Sequence, residues 1–422
     1  MAWASTVPAP MVSVSYLRSP QAIRTQAQYL LELGLADRLH HFQVDLMRLD
    51  AVADYVIEIM QRNYPNGNIP FHSRWRHFPA DRVAPILQNL DVWERAKARF
   101  DLVIPSVLLD AGAGSAWRYR DAAGRVWQRS EGLAVASLDL FCQGKFAQVG
   151  DLATDAIGLA QLTLNDLAIG LQVSPTNPIV GLEGRWQILQ KLGQILARSP
   201  QFFGSDRPRL GNLVDYFQHQ SVDQSLSAVT ILQTLLESLS DLWPERCVLA
   251  GQNLGDVWNY VPMDSPLDSS LDDRTASTST STSTSVLVPL HKLSQWLTYS
   301  LLEPLMEAGV TITDLDQLTG LAEYRNGGLC LDLGLLRLKH AQDTQTAHSV
   351  ASALVVEWRG LTIALVDRIA DRIRQKLQKT AVELPLVKIL QGGTWSAGRT
   401  IAQTLRPDGS PPILIESDGT VF

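Results

Sequence analysis

The chain has 422 residues, 45% hydrophobic and 19% charged, and its 36 Lys and Arg face 43 Asp and Glu for a formal net charge of −7. That balance is globular, and the length suits one large or two ordinary domains. The signs are interspersed without a long basic stripe, which argues against a nucleic-acid partner.

In chain order, the opening "MAWASTVPAPMVSVSYLRSP" lacks a basic stretch followed by an apolar core, so it is not expected to act as a signal peptide. "SPQAIRTQAQYLLELGL" predicts a helix with Ser19 as N-cap and Pro20 in its first turn. "LDAVADYVIEIMQRNYP" carries apolar residues at helical spacing and stops at Pro65. "SAWRYRDAAGRVWQRS" reads as a hairpin turning about Asp121–Gly124. "GLEGRWQILQKLGQILARSP" and "SLSAVTILQTLLESLSDLW" are again helical.

The clear break is Ser265–Ser285, whose alternating Ser/Thr tract cannot bury apolar surface and is expected to be a disordered insertion within one domain. "ALVVEWRGLTIALVDRIADRIRQKLQ" places Leu354, Trp358, Leu361, Leu365, Ile369, Ile373 and Leu377 on one helical face. The basic run Asp371–Lys379 ends that helix, where cations complement the dipole. A short strand is expected in "PILIESDGTVF". The expected fold is one large, mainly α domain over residues 1–422 with minor β hairpins. Cys142, Cys247 and Cys330 form no CxxC or even framework, which fits a reducing cytoplasm, and no apolar run approaches the roughly 20 residues that cross a bilayer.

Several stretches carry charge into apolar settings. "IPFHSRWRHF" sets His72, Arg74, Arg76 and His77 among aromatics, with a His–His spacing that does not put both on one helical face for a metal. Its arginines suit a phosphate or a stacked surface equally. "VLLDAGAGSAW" has the look of a strand followed by a nucleotide loop, but it runs into the hairpin instead of opening a helix. Asp110 is left as a pocket candidate. In "NPIVGLEGRWQIL", Glu183 suits a helix start and Arg185 accompanies it.

A helix expected from Leu290 puts Leu290, Leu293, Leu297, Leu301 and Leu305 on a core stripe and Lys292, Gln295, Tyr299 and Glu303 on another face, with Pro304 ending or kinking it. Glu323 and Arg325 precede Gly327 and Gly328 in "LAEYRNGGL". A carboxylate and an ammonium converging on a pocket suit a ribosyl phosphate, the carboxylate stabilising an oxocarbenium ion. The alternative is a structural ion pair.

The blocks "FHSRWRHF", "LLDAGAGSAWRY", "SEGLAVASLDLF", "NPIVGLEGR", "PLHKLSQWLTYSLLEPL", "LTGLAEYRNGGL", "GGTWSAGRTIA" and "LRPDGSPPI" resemble the uracil catabolism protein 4 family over nearly the whole chain, from about Ser15 to Phe422. That resemblance implies a place in a pyrimidine breakdown route that yields urea, and leaves the reaction open.

In the same order, "LLDAGAGSAW", "SEGLAVASL", "NPIVGLEGRWQIL", "HKLSQWL" and "LTGLAEYR" resemble blocks of the queuosine-phosphate N-glycosylases, the queuosine salvage proteins. This second resemblance implies a helical fold related to that of DNA glycosylases. It puts the lysine of one block on Lys292 and the catalytic acid on Glu323, where those enzymes carry an aspartate. Here Asn326-Gly327-Gly328 follows in place of their Val-Pro-Gln, so their base contacts need not carry over.

Together these readings imply an N-glycosidase that releases urea from a ribosylurea 5′-phosphate type of intermediate. Glu323 and Lys292 are its expected catalytic residues, and Asp110 helps to position sugar or leaving group. Arg325, Arg185 and Arg76 are expected either at phosphate or holding Glu323 ionised, with Trp117, Trp296 and Tyr324 as walls. Such chemistry calls for a small-molecule substrate and no metal, cofactor, nucleic acid or membrane; the oligomeric state is not specified. The alternative is a non-catalytic partner or assembly factor of the other uracil-degrading enzymes.

Overall fold

Ser19 and Pro20 open the first long helix as their chemistry requires. The Ser19 hydroxyl accepts the Ala22 N–H at 3.1 Å, and Pro20, with no N–H to satisfy, starts α1 (Pro20–Leu35). The computed structural model describes residues 13–149, 152–263 and 285–416. The Ser/Thr tract expected over Ser265–Ser285 lies outside the described residues except for Ser285.

The architecture continues through α2 (Leu49–Asn63), α3 (Val92–Leu108), α4 (Arg129–Cys142), α5 (Leu182–Arg198) and α6 (Ala228–Ser238). It runs on through α7 (Lys292–Glu307), α8 (Tyr324–Asp332), α9 (Ala353–Leu377) and α10 (Trp395–Leu405), with shorter helices between these. The fold is mainly α. Among the described residues every sheet has two short strands. No helix among them is long and apolar enough to cross a membrane.

The expected hairpin forms, pairing Tyr119–Arg120 with Val126–Trp127. Other pairs join distant segments. Val257–Tyr260 and Val286–Pro289 run antiparallel, with Tyr260 opposite Val286 on either side of the Ser/Thr tract. The expected C-terminal strand is Leu414–Glu416, but it pairs in parallel with Ala347–Ser349 and so is no hairpin.

The core centres on α9. The expected face is buried, with Leu377 half-buried, yet nearly the whole circumference from Leu354 to Val366 is buried too. The reason is that α1, α2 and α8 all pack against it. A helix covered on all sides must satisfy its charged residues internally. Glu357 does so by accepting the His40 and His41 N–H groups and the Tyr260 hydroxyl at 2.8–3.0 Å.

Three expectations need correction. Of the end or kink expected at Pro304, the end does not occur, since α7 continues to Glu307. A proline inside a helix strands the carbonyl four residues before it. Here that carbonyl, on Ser300, accepts the Trp75 indole N–H at 2.7 Å. Pro105 in α3 is handled the same way: the freed Asp101 carbonyl accepts the Thr154 hydroxyl at 2.6 Å. Second, α7 begins at Lys292 rather than Leu290, because His291 adopts a left-handed φ of 43°. Third, the apolar run before Asp110 is the end of α3 and not a strand, since it continues the buried side of a long helix.

α10 docks on α8 through Gly398. A Cβ there would stand 2.1 Å from the Arg325 carbonyl oxygen, so only glycine allows this approach. The contact seats the turn that carries Glu323.

Candidate active site

The starts of α7, α8 and α4, the loop after α3 and the loop after α10 converge around a cavity of about 400 Å³. Its lining includes His72, His77, Asp110, Lys292, Trp296, Glu323, Tyr324, Arg325 and Trp395.

Glu323 is the N-cap of α8. Its Oε2 accepts the Arg325 N–H and its Oε1 the Asn326 N–H, both at 2.6 Å. Those amides and the helix dipole favour the carboxylate form. Burial opposes them and wins: the Glu323 pKa lies above its ordinary value, although the two amides, Lys292 and Arg325 pull it back. The carboxylate is thus fixed in orientation, with burial holding its pKa above the ordinary value.

Lys292 is the first residue of α7 and is buried. Burial pushes its pKa down, against the attraction of Glu323 and Asp110. Among the described residues its ammonium makes no hydrogen bond or ion pair, and Nζ lies 5.6 Å from the centre of the Trp296 ring. An unpartnered buried ammonium is costly unless it serves a ligand.

One ion pair holds both residues in place. Asp256 takes Arg359 in a bidentate grip, 2.7 Å at each oxygen, and its Oδ2 also accepts the Lys292 N–H at 3.0 Å. Arg359 Nε reaches the Ala322 carbonyl, next to Glu323, at 3.3 Å. Burial alone would raise Asp256, but Arg359 and the Trp258 indole hold it well below the usual carboxylate range.

On the opposite wall, Asp110 Oδ2 stands 2.9 Å from Arg74 Nη1, and both side chains are buried. Arg74 Nε donates to the Ser106 hydroxyl at 2.8 Å. Burial pushes His72 and His77 down to about 4, so both imidazoles are neutral near pH 7. The loop Asp408–Pro411 closes the rim. Arg129 donates to the Asp408 carbonyl and Arg325 to the Gly409 carbonyl, each at 2.8 Å.

The fold therefore brings six expected residues to the cavity: Lys292, Glu323, Asp110, Trp296, Tyr324 and Arg325. Three others lie away from its lining. Trp117 is wholly buried in the core, its indole N–H donating to the Leu171 carbonyl at 2.9 Å. Arg76 is paired with Glu303 beside a separate surface groove. Arg185 sits behind the Asp110 loop and donates to the Leu109, Ala111 and Gly112 carbonyls at 2.7–3.1 Å. With Nη1 also donating to the Val180 carbonyl, it shapes the loop and lies outside the cavity lining.

His72, His77, Trp395, Arg129, Asp256 and Arg359 receive no site role from the sequence. The signal for Arg359 was the one that marked Lys292, a charge inside an apolar helix. Among the described residues no three His, Cys, Asp or Glu side chains gather as a metal site.

A family model described as "Protein of unknown function (DUF1688)" matches residues 16–422. "Protein urg3" of Schizosaccharomyces pombe is 37% identical over 427 residues, covering 97% of this chain and 99% of its own length. "Uracil catabolism protein 4" of Lachancea kluyveri is 35% identical over 448 residues, covering 97% of this chain and 99% of its own. With a family match over nearly all its residues and relatives of this similarity end to end, the chain belongs to the uracil catabolism protein 4 family, the family described as DUF1688.

Proposed function

We propose that the chain is a cytoplasmic N-glycosidase of uracil catabolism, hydrolysing a ribosylurea 5′-phosphate type of substrate to urea and ribose phosphate. The observation that supports this reading most is the juxtaposition of Glu323 and Lys292 in one cavity. The carboxylate is held by two amides, and among the described residues the ammonium has no hydrogen-bond or ion-pair partner. The cavity, about 400 Å³, suits a small ligand. The resemblance to queuosine-phosphate N-glycosylases, and with it the relation to DNA glycosylases, belongs to this proposal.

In the reaction the bond from C1′ to the ureido nitrogen breaks, and the electron pair leaves with nitrogen. Positive charge develops at C1′, where the fixed Glu323 carboxylate stabilises it. Water attacks C1′; its hydroxyl stays on the sugar and its proton goes to the departing nitrogen. Lys292 holds a ribosyl hydroxyl or phosphate oxygen, replacing water around a buried ammonium.

One observation favours a second reading, a non-catalytic partner of the uracil-degrading enzymes: both Glu323 oxygens already cap α8. The separating experiment offers purified protein synthetic ribosylurea and its 5′-phosphate, following urea by a urease-coupled assay and sugar by its reducing end. Equal release of both supports the glycosidase. No urea from either, with folded protein, puts the partner reading first.

A further inference from the structure

Four rings enclose one part of the cavity. His77 stands edge-on to both indoles, its centre 5.9 Å from Trp296 at 90° and 6.1 Å from Trp395 at 88°. His72 lies 6.4 Å from Trp296 and 5.9 Å from Trp395, tilted by 30° and 45°. All four line the cavity.

Polar atoms in this wall lack partners. Trp296 Nε1, His77 Nδ1 and Asp110 Oδ1 are each buried without a hydrogen bond among the described residues. Buried indole N–H and carboxylate groups nearly always find one, so three orphans on residues that line one cavity point to a ligand that supplies it. His72 Nδ1 is engaged, donating to Gln391 Oε1 at 3.0 Å, which leaves Nε2 as its lone-pair nitrogen. The set thus offers a donor that cannot accept, the indole N–H, and acceptors in Asp110 Oδ1 and His72 Nε2.

A planar group presenting one carbonyl and adjacent N–H donors matches that whole set; a single hydroxyl brings one donor for the two acceptors, and an ionised carboxylate brings none. We infer that the ring box of His72, His77, Trp296 and Trp395, with Asp110, is a binding subsite for a neutral planar ureido group. The Trp296 indole N–H donates to the ureido carbonyl, and Asp110 Oδ1 and His72 Nε2 accept ureido N–H groups. Both imidazoles are uncharged near pH 7, so the box gives an anionic analogue little in return for its hydration. Asp110 is offset by Arg74 and Lys292 by Glu323, so neither acetate nor guanidinium gains a net attraction that repays its hydration. The inference rests on the glycosidase reading, in which this box holds the leaving group.

The test uses binding, not turnover. Saturation-transfer NMR on the whole protein compares methylurea with its cationic isostere methylguanidinium and with acetate, in the parent and in Trp296→Phe, which removes the N–H but keeps a ring. Methylurea is expected to bind the parent in preference to both ions, and its Kd to rise about tenfold in Trp296→Phe, the scale of one lost hydrogen bond. A parent crystal soaked in methylurea is expected to place the ureido oxygen against Trp296 Nε1, a result that does not depend on the variant folding. No methylurea binding to the folded parent, equal binding of methylguanidinium, or an unchanged Kd in a folded Trp296→Phe overturns the subsite. If methylurea binds as stated but ribosylurea is not cleaved, the glycosidase reading falls and the subsite stands. If ribosylurea is cleaved while Trp296→Phe changes neither KM nor methylurea binding, the subsite falls and the glycosidase stands.

Discussion

Asp256 and Arg359 form a buried bidentate pair, 2.7 Å at both oxygens, that touches the backbone on each side of the candidate site. Asp256 receives the N–H of Lys292, and Arg359 reaches the carbonyl before Glu323. Removing one member leaves the other charged and buried, so Asp256→Ala is expected to cost about 3–5 kcal/mol. Guanidinium unfolding followed by circular dichroism measures this. The folded pKa of Asp256 is depressed, so its contribution is present above the unfolded value of about 3.9 and disappears as pH falls towards the folded one. The gap between parent and Asp256→Ala therefore narrows in acid. A constant gap from pH 7 to the acid range contradicts the assignment.

Lys292→Met has the opposite stability signature. Burial disfavours the Lys292 ammonium despite Glu323 and Asp110, and methionine keeps the stem. The unfolding midpoint is expected to stay level or rise, while kcat/KM falls at least about 100-fold, the scale of a lost charged contact. A purely structural lysine gives the reverse, a lower midpoint.

The pH profile separates Glu323 from the histidines. Glu323 acts ionised and its pKa is raised, so kcat/KM climbs with pH through a limb above the ordinary glutamate value of about 4.3. His72 and His77 are already neutral well below about 6.5, so neither adds a limb there. A limb near about 6.5 that vanishes in His77→Gln speaks against neutral imidazoles in the box.

The Trp75 bond to the Ser300 carbonyl exists because Pro304 cannot make it. Trp75→Phe is expected to destabilise the fold by about 1–3 kcal/mol by orphaning that carbonyl. In the Trp75→Phe background, Pro304→Ala restores an N–H and recovers part of the loss. A double-mutant cycle reads the coupling, and strict additivity refutes the account.

The sequence made the helices legible where local chemistry decides. Ser19, Pro20 and the spacing in α2 and α9 needed no partner to be read. It also marked Lys292, Glu323 and Asp110, because a charge in an apolar stretch is conspicuous in one dimension. Three features were hidden for physical reasons. Pro304 looked like a stop because its rescue by Trp75 comes from 229 positions away. Trp117 and Trp296 look alike in sequence, yet one finds a carbonyl in the core and the other faces a cavity. Arg185 and Arg76 had the right chemistry for phosphate, but backbone carbonyls and Glu303 hold them outside the cavity lining.

The central claim is that Glu323 acts on a substrate in addition to capping α8. Stability alone cannot decide it, because glutamine accepts through one oxygen and leaves one of the two capping amides unmet under either role. The decisive measurement is urea release from ribosylurea 5′-phosphate by the parent and Glu323→Gln, with the folded fraction determined in the same samples. The account predicts a small drop in unfolding midpoint and a loss of turnover per folded molecule of at least about 1,000-fold, the scale of a removed charge-stabilising group. Equal turnover per folded molecule contradicts it and leaves Glu323 as a helix cap alone.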